Sequence, residues 1–384
     1  MPPHNRRELV KILDDRMSLS YDQLQDNQQL EAKTSLVKTY LVESKLPEDF
    51  DGELFPFVAQ ITKRTGSGKR PPVTAAKTDD SNLVTITGHY KGEAVTLFAD
   101  GSNPRFWQVH SVGNSDAVDW LVHRLVNTGP ELDRAWFPTH LLEYVSTLGV
   151  FRGLSLDYDR TVIPDIDFQA VGTPVDVLKM QLKGNRAKDI LSTLRAGSFE
   201  HQTTVAKVKI KFSSDLNGGY FTIDDVKYDG KITARGTSFD SHLELVNEIS
   251  DQYSKIIRGI EENNTLSVSH DDTGLQITGE PVNIMFPQRI ADLEIFCDSV
   301  FSCAEPFRLW GVPVQVAKDY YRVRAVDLHV GSEVSFEISP DWMRIYLPKG
   351  SCGNTVVRIF TNLQHHYDAL ITAVNGDGGA VVGV

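Results

Sequence analysis

Apolar residues at helical spacing open the chain. Leu9, Val10, Leu13 and Met17 share one face of a helix, and Leu30, Val37, Tyr40 and Leu41 mark a second, so residues 6–45 read as helical. Residues 61–82 show no period and are rich in Gly, Pro, Ser and Lys; they read as a basic flexible linker. Beyond them the pattern turns to alternation. Short runs such as Val84–Gly88 and Ala94–Phe98 read as strands, and Val118, Leu121, Val122 and Leu125 place a helix over about 115–127. Val175 to Lys183 alternates again, and Asn185 is placed to cap a helix through Arg195. The theme recurs three more times. Ala206, Val208, Ile210 and Phe212 alternate with lysines, Asp229-Gly230 makes a hairpin turn, and Leu245 to Ile260 form a long helix. Strands flank Asp271-Asp272-Thr273-Gly274 ahead of a helix with Leu293, Phe296 and Val300. Strands over 321–347 then precede a helix carrying Val356, Phe360, Leu363, Tyr367, Leu370 and Val374.

This order predicts an α+β fold. Antiparallel sheets carry helices on one face, built from repeated strand-strand-helix units and preceded by a small helical N-terminal segment. The expected divisions are a helical segment 1–60, a linker 61–82, a first α+β domain 83–200 and a second 201–384.

Composition narrows the class. The 384 residues carry 41% apolar side chains and a net charge of −12, which excludes collagen, coiled coil and a wholly disordered chain. No apolar run is long enough for a membrane helix. The N-terminus lacks the uncharged core of a secretory signal. Cys297, Cys303 and Cys352 make neither a disulfide framework nor a zinc knuckle, so a soluble cytoplasmic protein without cofactor is expected.

The net charge opposes indiscriminate binding to polyanions, yet it is uneven. Residues 61–78 are basic, and 179–211 hold eight bases against Asp189 and Glu200. Lys207, Lys209 and Lys211 alternate along a strand, with Lys179 and Lys183 on another. Such a stripe either neutralises phosphates or guards a sheet edge against aggregation. Asp157, Asp159, Asp165 and Asp167 supply paired carboxylates of the kind that hold Mg²⁺. Pro164-Asp165 and Asp225-Val226-Lys227 contain the pieces of a metal-dependent nuclease. Gly66-Ser67-Gly68-Lys69 lacks the first glycine of a phosphate loop and runs into Arg70-Pro71-Pro72. His365, His366 and His329 form no chelating pair. Phe307, Arg308 and Trp310 combine residue types favoured at protein interfaces.

No coherent catalytic set emerges. The leading expectation is therefore a non-enzymatic interaction or adaptor protein with a protein partner or self-association. The alternatives are a nucleic-acid-binding subunit using 61–78 and 179–211, and a metal-dependent hydrolase or nuclease. No membrane partner is expected.

Overall fold

The computed structural model describes residues 3–26, 36–66, 71–164, 175–213, 219–271 and 274–382. It is an α+β protein of antiparallel strands and an N-terminal helix, as the alternating patterns imply. Two compact units divide the chain. One comprises 1–135, 148–150 and 209–250; the other comprises 136–147, 151–208 and 251–384. No helix among the described residues is long and apolar enough to cross a membrane.

The first unit is built on the strand Val37–Ser44, every residue of which is buried. It pairs antiparallel with Phe106–Ser111 on one side and Lys231–Gly236 on the other, with Thr39 opposite both His110 and Ile232. The strands Glu93–Asp100, Leu83–Tyr90 and Thr74–Lys77 extend the sheet beyond Phe106–Ser111. Helices lie on both faces of this sheet. Leu9, Leu13 and Met17 of Arg6–Asp26 pack with Val37, Leu83, Phe98 and Phe239. Opposite them, Leu54, Val58 and Ile61 of Leu54–Thr65 and Val118, Leu121 and Leu125 of Ser115–Thr128 cover Tyr40, Val42, Ile86, Leu97 and Trp107. Asn114 caps the latter helix by accepting from the Asp116 N–H. The Asp229-Gly230 turn is present as expected. A Cβ at Gly230 (φ +78) would lie 2.7 Å from the Ala135 carbonyl oxygen, so only glycine lets this turn sit where its carbonyl accepts the Leu41 N–H.

The expected second N-terminal helix is corrected here. Val37, Tyr40 and Leu41 belong to a central strand, while Leu30 lies outside the described residues. A strand covered on both faces need not alternate, and Val37, Thr39, Tyr40 and Val42 are good strand formers. Thr74–Lys77, inside the stretch read as linker, is a strand on Leu83–Tyr90. Residues 67–70 lie outside the described residues.

The second unit carries a sheet in the order Gly274–Thr278, Thr265–Asp271, Trp342–Pro348, Glu333–Ser339, Tyr320–Asp327, Leu309–Ala317. Burial alternates along its strands. Tyr321, Val323, Ala325, Val334, Phe336, Ile338, Met343 and Ile345 point inward. The helix Leu293–Val300 and Phe301 cover this side, with the Phe301 and Phe336 rings 4.8 Å apart. The helix Asn354–His366 is anchored by a buried ion pair. Arg358 bonds Asp327 and donates from Nε to the Phe307 carbonyl at 2.8 Å, while the Thr355 hydroxyl donates to the other Asp327 oxygen. This helix stops at His366; Leu370 and Val374, expected to continue it, lie beyond, and Thr372–Val374 is a strand. The Asp368 carboxylate accepts from the Leu370 N–H and holds the chain out of the helix.

Two outcomes follow. A chain lacking residues 1–60 loses the strand Val37–Ser44 and should give no cooperative melt by circular dichroism. Arg358→Ala strands a buried carboxylate and should cost about 3–5 kcal/mol in urea unfolding, whereas a paired Arg358→Met/Asp327→Leu variant should recover much of that loss.

Candidate functional site

The acidic candidates meet a lysine rather than an ion-binding pocket. Asp157 and Asp159 lie on Val150–Asp159, which pairs antiparallel with Val177–Lys183, and Lys179 stands opposite Asp157. The Lys179 ammonium is 3.6 Å from Asp157 and 3.9 Å from Asp159. Asp159 also accepts from the Thr161 N–H and hydroxyl. Those bonds, with Lys179, hold its carboxyl below the ordinary range. Asp165 and Asp167 lie outside the described residues. The nuclease pieces are likewise engaged: Asp225 pairs with Lys209 at 3.1 Å and Lys227 with Asp229 at 3.3 Å.

The basic candidates are dispersed. Lys207, Lys209 and Lys211 alternate on Val205–Phe212 as expected, but the strand has neighbours on both sides, so they guard no edge. They are half-buried, and Lys211 lies 3.7 Å over the Phe221 ring. Lys183 is exposed on Val177–Lys183. Arg186 pairs with Asp189, Arg195 with Glu143, Arg64 with Glu131 and Lys77 with Glu53. Acids therefore answer much of the positive charge in both basic segments.

His365 and His366 are engaged with the backbone. They donate from Nδ1 to the Asp157 and Asp159 carbonyls at 2.7 and 2.8 Å, tying the end of Asn354–His366 to a strand. A further set, unread in the sequence, lies inside the first unit. Asp224 accepts from His242 Nδ1 at 2.7 Å; His242 Nε2 meets the Thr39 hydroxyl at 2.7 Å; the same hydroxyl meets His110 Nδ1 at 2.9 Å. The Thr39 hydroxyl thus bridges the two imidazoles, with one proton to donate and lone pairs to accept. The order resembles an acid–base relay, but all four side chains are buried and no substrate could reach Thr39. Burial, followed by the proximity of His242, pushes His110 down to about 3.

The exposed chemistry is concentrated on the outer side of the second unit's sheet. Trp310, Val312 and Val314 stand opposite Val326, Arg324 and Arg322, so all six share that side. Trp310, Val312, Val314 and Val316 are each between 52% and 57% exposed. Of the expected interface trio, only Trp310 reaches this surface; Phe307 and Arg308 are buried, their backbone carbonyls serving Arg358 and Leu328. Tyr320, Trp342, Arg344 and Tyr346 complete the face around Glu337. Tyr346 donates to Glu337 at 2.8 Å, and Arg322 and Arg344 approach it at 3.2 and 3.6 Å. Burial pushes Glu337 up, but the two tyrosine hydroxyls and two guanidiniums outweigh it and hold the carboxyl below its usual range. Arg344 also lies 4.9 Å over the Trp342 ring. The alternation of 320–326 and 342–346 was readable; which side stayed uncovered was not.

The family profile described as MJECL33-like protein matches residues 2–380. The chain belongs to this family. Within it, the chain is 30% identical to a protein of Methanocaldococcus jannaschii described as "Uncharacterized protein MJECL33", over 95% of this chain and 92% of that one. No solved structure matches. Both alignments run through the two units, so the likeness to the MJECL33-like family is not confined to one of them.

Burial holds three histidines of this MJECL33-like protein neutral: His110 at about 3, His140 at about 4, and His366 below its ordinary value. Unfolded, each takes up a proton near pH 6.5. Stability should therefore be intact above that pH and fall as the solution is acidified. His110→Gln should flatten the fall between about pH 6 and 5 by about one proton, or ~1.4 kcal/mol per pH unit, in urea melts.

Proposed function

We propose that this protein is a non-enzymatic interaction protein that holds a protein partner on the outer face of its C-terminal sheet. The observation that carries this reading is the row Trp310, Val312 and Val314, each more than half exposed on one side of a strand. Isolated exposed apolar side chains are ordinary, but a contiguous row flanked by Tyr, Trp and Arg is the composition of a binding centre. The cluster around Glu337 fixes the arginines and tyrosines before any partner arrives, which lowers the entropy lost on binding. Strand addition is disfavoured at this edge. Pro313 has no N–H to offer, and the register shifts between Gln315 and Ala317. The partner therefore lies on the face. A cytoplasmic setting is part of the proposal, consistent with Cys297, Cys303 and Cys352 being free.

Nucleic acid is the weaker alternative, because acids already pair with Arg64 and Lys77 in one basic segment and with Lys179, Arg186, Arg195 and Lys209 in the other. A metal-dependent reaction would have to proceed with Lys179 between Asp157 and Asp159.

The test is quantitative cross-linking of the full chain in its native extract, followed by mass spectrometry. Trp310→Glu with Val314→Glu should reduce recovery of face-linked partner peptides more than tenfold, while the melting temperature stays within a few degrees. Unchanged recovery from this variant would remove the face from the reading.

A further inference from the structure

The outer side of the pair Leu309–Ala317 and Tyr320–Asp327 is banded. Side chains on one side of a strand repeat about every 7 Å, and antiparallel partners stand side by side. Trp310 opposite Val326 makes an apolar row, Val312 opposite Arg324 the next, and Val314 opposite Arg322 the third. Arg322 reaches away from Val314 to Glu337 on the following strand, its guanidinium 3.2 Å from the carboxylate. The third row is therefore apolar at its Val314 end. Arg324, in the middle row, differs. It is exposed, and no acid among the described residues lies within ion-pairing distance of it. Its cross-strand neighbours are Val312 and Ser335; Glu337 is held by Arg322 and Arg344, and Glu333 stands opposite Val326. One unanswered positive charge thus sits between two apolar rows.

We infer that the partner held on this face presents an extended acidic segment: one Asp or Glu carboxylate on Arg324, with an apolar side chain two residues before it and another two residues after. This rests on the face being a protein-binding surface, as proposed above, and gives the chemistry of what is bound. A partner that covers Trp310 and Val314 also takes Arg324 out of water, because Arg324 lies in the row between them. A guanidinium buried without a counter-charge is strongly unfavourable. Since this chain brings no acid to Arg324, the partner supplies one. A carboxylate fits the guanidinium fork through two parallel bonds. Ser335, paired with Arg324 across the sheet, places a hydroxyl donor beside it. The repeat fits as well. In an extended segment every second side chain faces the sheet, about 7 Å from the last, which is the spacing of the three rows.

The charge balance of the face selects a carboxylate over a phosphate. Its strands carry Arg322, Arg324 and Arg344 against Glu333 and Glu337, and Glu337 already holds two of the arginines. A single negative charge answers Arg324, whereas a phosphoryl dianion also meets the repulsion of the two glutamates. A nucleic-acid strand, with a negative charge on every nucleotide, meets the same repulsion along its whole length.

The test presents the immobilised full chain to a random heptapeptide display library. The wild type should enrich sequences in which Asp or Glu has an apolar residue two positions away on each side. Arg324→Gln should lose the preference for the acid and keep the apolar pair. For the strongest selected peptide, replacing its acid by the matching amide should weaken binding about tenfold or more on the wild type, but less than about threefold on Arg324→Gln, by fluorescence anisotropy. The two proteins should share one far-ultraviolet circular dichroism spectrum. Phosphoserine in place of the acid should bind no more tightly. Enriched sequences without an acid, an amide replacement that costs the same on both proteins, or tighter binding of the phosphoserine peptide would each overturn the inference. If the peptides bound in those cases are lost from Trp310→Glu/Val314→Glu, the protein-binding reading stands without the acidic segment. A wild type that enriches nothing beyond that double variant would refute both.

Discussion

The buried pair Arg358–Asp327 decides which side of the C-terminal sheet is covered. An isolated charge at either position would be costly in the interior, so each requires the other. Asp327 ends one strand, Arg358 sits in the middle turn of Asn354–His366, and the same guanidinium holds the Phe307 carbonyl just ahead of Leu309–Ala317. Three segments are thereby drawn to one place. The helix commits to the inward side of the sheet, and the opposite side is left to Trp310, Tyr320, Arg322 and Trp342. The exposed face is the counterpart of an electrostatic requirement on the hidden one.

A related constraint governs the first unit. Its central strand buries polar groups among apolar ones, and each has been given a partner. Lys38 donates to the Leu36 and Gly113 carbonyls, although burial and Lys231 lower its ammonium to about 8; Thr39 joins the histidine chain; Glu43 binds Arg105 at 2.7 Å. Such contacts add specificity because any shift of register would leave them unmatched. They also explain why the strand was hard to see. In sequence, Lys38, Thr39, Glu43 and Ser44 interrupt the apolar positions, and nothing local reveals that His110, Gly113 and Arg105 will arrive to satisfy them.

Elsewhere the sequence was informative where one face is dry and the other wet. The helices over 115–128, 239–263 and 293–300, the Asp229-Gly230 turn and the alternating strands from 320 to 348 are all legible from local periodicity. The candidate site was legible only in composition. Trp310 could be singled out as an interface residue, but Phe307 and Arg308 beside it could not be separated from it. Their burial depends on Arg358, fifty residues away. Asp157 and Asp159 looked like metal ligands because Lys179 lies in a different strand. Residues that neutralise a charge across a sheet leave no trace in its own neighbourhood.

Two features of the edge strand oppose the addition of further strands. Edge backbone groups recruit further strands, and Val312, Val314 and Val316 are good strand formers that would encourage it. Pro313 interrupts the row of donors, and the irregularity at Gln315–Ala317 breaks its spacing. These features act on the backbone and leave the side-chain face intact. The strand is thus poor at adding to a sheet while remaining able to pack against a surface. That separation is what a recognition strand requires: association governed by side chains, which can be specific, and withheld from the main chain, which cannot.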